Sequence, residues 1–440
     1  MLKDEGTTAE VDLFDRLPTP YGLVRGGVAP DHPKIKSVTR VYDKTAAREG
    51  FRFFGNVKLG EDVHVEDLER HYHAIVYTFG AETDRKLGIP GEDLPGSHAA
   101  TAFVGWYNAH PDYCDLEFDL SHERAVVIGN GNVATDVARM LALTEEELRE
   151  TDTADHAIEA LVQSKVREIV VLGRRGPVQA SFTNPELREL GEMHDADVFV
   201  DPADVELDDA SRSFLESDEA DITVRKNVEI FTDFSQREPE GKPRKIVLRF
   251  FRSPVEIEGD GRVEKLIVGR NELVEEDGRL RAKDTGEREE LECGLVLRSV
   301  GYTGLAIDGV PFDEKRGTIL NEGGRVLDSH DAGHRLGHYA AGWIKRGPSG
   351  VIGTNKKDSQ ETVAHLLEDV REGRVMDPEA PDPDAIVSTM SERGVRFVTF
   401  EDWQAIDRAE VGRGEPHGRP RVKFVRVEEM LDALKDAVAG

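Results

Sequence analysis

Cysteine is nearly absent. Cys114 and Cys293 are the only two in 440 residues, and they stand far apart. That spacing excludes a disulfide framework, a CxxC redox pair and a cysteine-bound metal cluster. Basic charge is also short, with 57 Lys and Arg against 87 Asp and Glu, a net charge of −30. Nucleic-acid binders and proteins of anionic membranes need positive potential, so both classes are set aside. Lysine is the scarcer cation, 18 against 39 arginines. No apolar run approaches the ~18 residues of a membrane span, so no membrane insertion is expected. The start, Met1-Leu2-Lys3-Asp4-Glu5-Gly6, lacks the apolar stretch of a secretory signal, and the cytoplasm is the expected compartment.

Glycine, by contrast, is plentiful at 42 residues, which points to backbone-mediated ligand contacts. The length suits two or three domains. Several apolar runs stop at glycine: Ala74–Gly80, Ala125–Gly129, Glu168–Gly173 and Leu295–Gly301. Such runs are typical of strands buried on both faces of a parallel sheet. Val11–Asp15 reads as a further short strand, and Val133–Leu143 as a helix after the Ala125–Gly129 run. Strand–glycine–helix units predict an α/β fold of doubly wound, Rossmann-like type. Residues 201–300 read differently, with Lys245–Phe251 and Val263–Val268 expected as antiparallel strands. Helices are expected over Ser359–Val370 and Val425–Val438, with a loop over Pro378–Pro383.

The most specific motif is Gly129-Asn130-Gly131-Asn132-Val133-Ala134, a G-x-G-x-x-A fingerprint between a strand and a helix. Its first glycine permits the tight turn, its second lets backbone approach a pyrophosphate, and the helix N-terminus faces the phosphates. The next strand ends in Arg174 and Arg175 where an NAD enzyme carries an acid. Two guanidinium groups suit a 2′-phosphate, so NADP is the expected dinucleotide. Forty-five residues separate Gly129 from Arg174, and residues 144–165 are read as a helical excursion within the unit.

Asp15 ends the first strand, where a second such unit would hold a ribose. A glycine fingerprint belongs about 20 residues before that acid, but only 14 residues precede Asp15 and none forms G-x-G. The chain is therefore expected to begin inside that unit's first helix, through a start codon assigned downstream of the true one. The alternative is a flavin-free NADP-binding module.

Beyond these readings, Leu17-Pro18-Thr19-Pro20-Tyr21-Gly22-Leu23-Val24-Arg25, Gly27-Val28-Ala29-Pro30-Asp31-His32-Pro33, Gly88–Gly96, Phe103–Asn108, Gly342–Pro348, Gly350–Asn355 and Gly418–Lys423 resemble the adrenodoxin-reductase-like ferredoxin–NADP reductases. These are glutathione-reductase-type flavoproteins, and the likeness runs from about residue 10 to the end. The resemblance implies two Rossmann-like nucleotide-binding domains, an NADP domain (101–300) inserted in a discontinuous FAD domain (1–100 and 301–440). It implies that Asp15 binds the FAD ribose, that Leu23 and Val57 line the flavin site, and that Trp343 and Gly350, Val351 and Ile352 contact the flavin. Gly129, Asn130, Gly131, Asn132, Val133, Arg174, Arg175 and Glu186 correspond to NADP contacts, and His32 with Glu189 to the catalytic pair near the nicotinamide.

The implied activity is electron transfer from NADPH through FAD to a ferredoxin-type iron–sulfur protein, by a monomer. An NADPH dehydrogenase with a quinone acceptor is the alternative. Glu186 and Glu189, three apart, share a helix face, and Glu186 is expected to meet ribose hydroxyls or orient an arginine. Arg25, Lys34, Lys36, Arg40, Arg188 and Arg225 are candidates for docking an acidic ferredoxin.

Overall fold

The computed structural model describes residues 8–276, 279–331, 333–350 and 352–439. At its centre is a six-stranded, all-parallel sheet in the spatial order Ser97–Ala99, Leu295–Arg298, Arg124–Ile128, Glu168–Leu172, Arg244–Arg249, Ala196–Val200. Alternate residues of the central strands enter two different cores. Ala125, Val127, Ile169 and Val171 pack with the helices Ala100–Tyr107 and Asn132–Ala142. Val126, Ile128, Val170 and Leu172 pack against Ile257, Val263, Leu266 and Leu291 of an antiparallel meander, Arg252–Glu258, Lys265–Glu276 and Arg279–Glu292. Burial on both faces explains the uninterrupted apolar runs.

The Lys245–Phe251 run departs from expectation, because Arg244–Arg249 is parallel to both of its neighbours. Ile246 and Leu248 are buried with the helices. On the other face Arg249 meets Glu289 of the meander at 2.7 Å, so the alternation records a charged cover rather than an antiparallel edge. The second expected antiparallel strand is found, as Lys265–Glu276.

A second assembly is built from chain on both sides of this sheet. Val11–Phe14 pairs in parallel with Phe51–Phe54, and Ile75–Tyr77 in parallel with His334–Ala340. Phe54, Val57, Ile75, Tyr77, Val326, Ala340 and Ile344 share one apolar core. The fold is thus α/β, a parallel-sheet unit inserted into a second unit whose four-stranded sheet is mixed. The helix expected over Ser359–Val370 begins earlier, at Ile352, and runs to Arg371, and the terminal helix spans Val427–Ala439. No described helix is long and apolar enough to cross a membrane.

The excursion forms two short helices, Glu145–Arg149 and Asp155–Val162. The turn between them receives the C-terminal segment: Arg419 donates to Thr151 O at 3.1 Å, and Lys423 pairs with Asp152 at 2.9 Å. Lys423 also donates to the backbone oxygens of Asn108 and Arg25. The excursion thereby ties the inserted unit to the chain's last segment.

Candidate dinucleotide and redox site

The fingerprint loop is held from below. Gly129 has φ 143°, and a Cβ there would overlap the backbone oxygen of Ser299. Its N–H donates to Leu172 O, and Asn130 O accepts from Ser181 N at 2.8 Å. Asn132 Oδ1 accepts from Thr183 N at 2.8 Å. Above the loop the space is open, since a Cβ on Gly131 would meet nothing within 4 Å. Gly131 caps the helix Asn132–Ala142 without a side-chain acceptor, leaving its N–H groups and positive dipole end for a phosphate.

Arg174 and Arg175 follow directly, their backbone pinned. Arg174 O accepts from the Asn271 amide at 2.9 Å and Arg175 O from Phe251 N at 3.1 Å. Their side chains line a cavity of about 700 Å³ with Val178, Phe214, Val224 and Leu280. Neither guanidinium is ion-paired among the described residues. Burial, and then the neighbouring Arg174 charge, push the Arg175 pKa down. An anion would relieve that repulsion, and the cavity that Arg281 and Gln179 also line has room for one.

His32, Glu186 and Glu189 come together, the two acids on one face of the helix Asn184–Leu190 as their spacing suggested. His32 Nε2 is 2.7 Å from Glu189 Oε2, and Nδ1 is 3.6 Å from Glu186 Oε1. Sequence reading missed the residue that organises them. Arg139, its side chain 2% exposed, donates to Glu186 Oε2 at 2.8 Å, Asp31 Oδ2 at 2.9 Å and Asp136 Oδ1 at 2.8 Å. One of its nitrogens also lies 2.8 Å from His32 Nε2. Glu186 therefore orients an arginine, one of its two expected roles. His32, Glu186 and Glu189 offer ligand atoms within 4.8 Å of one another, a spacing suited to a cation, and the guanidinium of Arg139 serves as that cation.

Burial works against the Arg139 charge, but Asp31, Asp136 and Glu186 outweigh it and hold the group protonated. Asp136 shifts upward through burial, with Arg139 opposing. The only advance signal for Arg139 was its place on the inward face of the fingerprint helix. His32 Nε2 lies between an acceptor, the Glu189 carboxylate, and a donor, the Arg139 guanidinium.

On the second unit Asp15 ends its strand with a half-buried carboxyl. It accepts from Leu17 N at 2.9 Å, and burial pushes its pKa up to about 6. Val57 does not line an open site: it is 2% exposed in the apolar core, and its N–H donates to Asp15 O at 2.9 Å, so it braces Asp15. Leu23 is 54% exposed at the start of a short helix, after Tyr21 and Gly22 with positive φ. Trp343 stacks on Tyr302 at 5.6 Å, and its buried Nε1 has no hydrogen-bond partner. Burial pushes the Tyr302 pKa up, and the nearby Asp84 and then Asp136 carboxylates add to it. Gly350 has φ 83° and Ile352 opens the helix to Arg371, while Val351 lies outside the described residues. A partnerless indole N–H, a strand-end carboxyl and an exposed Leu23 fit a flavin dinucleotide.

Three of the six docking cations are committed elsewhere. Arg25 makes a bidentate pair with Glu410 (2.9 and 2.6 Å) and lies over the Trp403 ring. Lys36 pairs with Asp152 at 2.7 Å, and Arg225 donates to Ser217 O at 2.6 Å. The pairing acids lie up to hundreds of positions away in sequence, so folding alone reveals them.

Fold and site together define a flavoprotein-type α/β architecture with two dinucleotide sites. No protein-family model matches the chain. It is 50% identical over 424 residues to NADPH-ferredoxin reductase FprA of Mycobacterium leprae, covering 96% of this chain and 91% of that protein. It is 43% identical over 444 residues to the mitochondrial NADPH:adrenodoxin oxidoreductase of Homo sapiens, covering 97% and 87%. The solved structure of Mycobacterium tuberculosis FprA in complex with NADPH superposes with a TM-score of 0.92 at 48% identity, over 99% of this chain and 95% of that one. The chain belongs to the family of NADPH–ferredoxin and adrenodoxin reductases.

Proposed function

We propose that this protein is an FAD-dependent ferredoxin–NADP reductase that moves electrons between NADPH and a ferredoxin-type iron–sulfur protein. The observation that carries the reading is the unpaired Arg174–Arg175 pair in a cavity next to an open Gly131 loop. Gly129, Asn130, Gly131, Asn132 and Val133 hold the NADP pyrophosphate, and Arg174 and Arg175 the 2′-phosphate. His32 and Glu189 orient the carboxamide end of the nicotinamide, with Arg139, braced by Glu186, fixing the His32 ring. Asp15 holds the FAD ribose; Leu23, Trp343 and the backbone at Gly350–Ile352 enclose the flavin. Bound FAD supplies the exchange between two-electron and one-electron chemistry.

The same reading gives residues 101–300 to the NADP unit and 1–100 with 301–440 to the FAD unit. Because Ser97–Ala99 pairs in the six-stranded sheet, we place the first crossing just before 97. Two free thiols, Cys114 and Cys293, suit a reducing cytoplasm.

The test is twofold. Purified protein reconstituted with FAD is expected to show flavin absorption that NADPH bleaches. Arg174→Ala with Arg175→Ala should lower the NADPH/NADH ratio of kcat/KM by about a hundredfold, as two charge-assisted contacts are lost. An unchanged ratio would remove the 2′-phosphate assignment.

A further inference from the structure

The cavity beside Arg174 and Arg175 has a wall that the strand end does not supply. One side is the chain after Glu168–Leu172, with the two arginines and Gln179. The other is the strand Arg279–Glu292 of the meander, which contributes Leu280, Arg281 and Ala282. Successive side chains of a strand point to opposite faces, so a space that meets three consecutive residues meets the strand along its edge. The sheet order agrees: Arg279–Glu292 pairs with Lys265–Glu276, and its other edge pairs with no described strand. Three of the described residues lining the cavity are arginines and none is acidic, in a chain with 87 Asp and Glu. Arg281 stands opposite Val274 in the hairpin and holds Glu276, further along the same strand, at 3.4 Å. The side chains of that pair are 56% and 52% exposed, so it is weakly held. A phosphate monoester offers more negative charge and several acceptor oxygens, and can displace a carboxylate from such a guanidinium.

We propose that Arg281 is a third cation for the 2′-phosphate of NADP, supplied from the edge of the meander, and that Glu276 holds its guanidinium until the phosphate takes it. The proposal rests on the reading above that Arg174 and Arg175 receive that phosphate. Those two are neighbours in sequence and approach from one side, where burial and then the Arg174 charge already push the Arg175 pKa down. A phosphate between them and Arg281 is gripped from two sides. A neutral 2′-hydroxyl in the same place leaves three cations facing one another across a partly buried space without compensation. The third cation therefore adds to the discrimination against NAD as well as to affinity. Phe214 and Val224, from the helices Asp209–Glu216 and Ile222–Gln236, line the same cavity and give the adjoining base an apolar surface.

The test is a calorimetric titration of the FAD-loaded enzyme with 2′,5′-ADP and with 5′-ADP, which differ by the 2′-phosphate alone. At low ionic strength Arg281→Ala should weaken 2′,5′-ADP about tenfold and move 5′-ADP by less than about twofold. Added salt should narrow the difference from the unsubstituted enzyme. Glu276→Gln releases the guanidinium and should tighten 2′,5′-ADP by about twofold. Arg270→Ala removes another hairpin arginine, one that pairs with Glu287 and does not line the cavity, and should shift neither Kd by more than about twofold. The bound-flavin spectrum of each variant should match that of the unsubstituted enzyme, which separates binding from folding. Unchanged 2′,5′-ADP binding in Arg281→Ala, or an equal loss in Arg270→Ala, overturns the third cation. If Arg174→Ala with Arg175→Ala then loses 2′,5′-ADP, the functional reading stands and Arg281 alone falls. If that double variant also binds it unchanged, the phosphate site is misplaced and the reading falls with the proposal.

Discussion

His32 Nε2 lies 2.7 Å from Glu189 Oε2, although 157 positions separate the two residues. The contact joins the loop that follows the Leu23 turn to the helix beside the fingerprint. His32→Gln puts a shorter-reaching amide in place of the ring that lies between Glu189 and Arg139. Stopped-flow reduction of bound flavin by NADPH should slow about tenfold in His32→Gln and in Glu189→Gln, roughly 1.4 kcal/mol of barrier. NADP affinity, which the proposed function assigns to Arg174 and Arg175, should change little. Wild-type rates in both variants would remove the pair from the reaction.

Gly129 and Gly131 make opposite predictions within one motif. A Cβ on Gly129 enters Ser299 O, so Gly129→Ala should cost stability, about 1–3 kcal/mol, as well as NADP binding. A Cβ on Gly131 meets only open space. Gly131→Ala should melt within about 0.5 kcal/mol of the parent yet bind NADP at least about tenfold more weakly, because the side chain occupies the pyrophosphate's approach. Thermal melts and NADP titrations check both, and equal losses of stability in the two variants would count against this reading.

Lys423→Met removes a buried ammonium from Asp152 and leaves the carbonyls of Asn108 and Arg25 without that donor. Breaking a buried pair from one side costs about 3–5 kcal/mol, here moderated because Lys36 still faces Asp152 at 2.7 Å. A fall in Tm is expected. Lys435→Met breaks only the exposed pair with Asp432 and should stay within about 0.5 kcal/mol of the parent. Similar melts for both variants would mean that the C-terminal segment does not fasten the inserted unit.

Asp84 supplies a pH test. Neither of its carboxyl oxygens has a hydrogen-bond partner, and burial pushes its pKa up to about 7, with Arg298 opposing. The folded protein keeps this proton up to about pH 7, while the unfolded chain releases it near 3.8. Between those values the folded state binds more protons, so stability falls as pH rises. Asp84→Asn lacks that fall. Its stability relative to the parent should therefore improve from pH 5 to pH 8, on the order of 1 kcal/mol once partial solvent access is allowed for. A difference that does not vary with pH would show the carboxyl to be ionised throughout.

Legibility in the sequence followed the range of the interaction. The fingerprint turn, its strand and helix, and the arginines ending the next strand are local patterns, and each lies where the pattern put it. The clustering of Glu186 with Glu189 followed from helical spacing. Arg139 was not legible, because Asp31 and Glu186 approach it from 108 and 47 positions away. Arg25 and Lys36 looked like surface charges until Glu410 and Asp152 folded against them. The Arg244–Arg249 strand was misread because alternation reports which face is apolar, and says nothing of strand direction. Val57 resembled a lining residue, yet its contribution lies in a backbone N–H that composition does not reveal.

Gly173 sits where the loop and the arginine pair meet, and a Cβ there would overlap the Asn130 amide. This confines the routes by which cofactor preference can evolve. Arg174 and Arg175 can be exchanged for an acid in single steps that leave the pyrophosphate loop in place, provided position 173 stays bare. A side chain at 173 would displace the Asn130 amide and so reach into the pyrophosphate loop. Descendants that change nucleotide should therefore vary at 174 and 175 while the glycine before them is inherited intact.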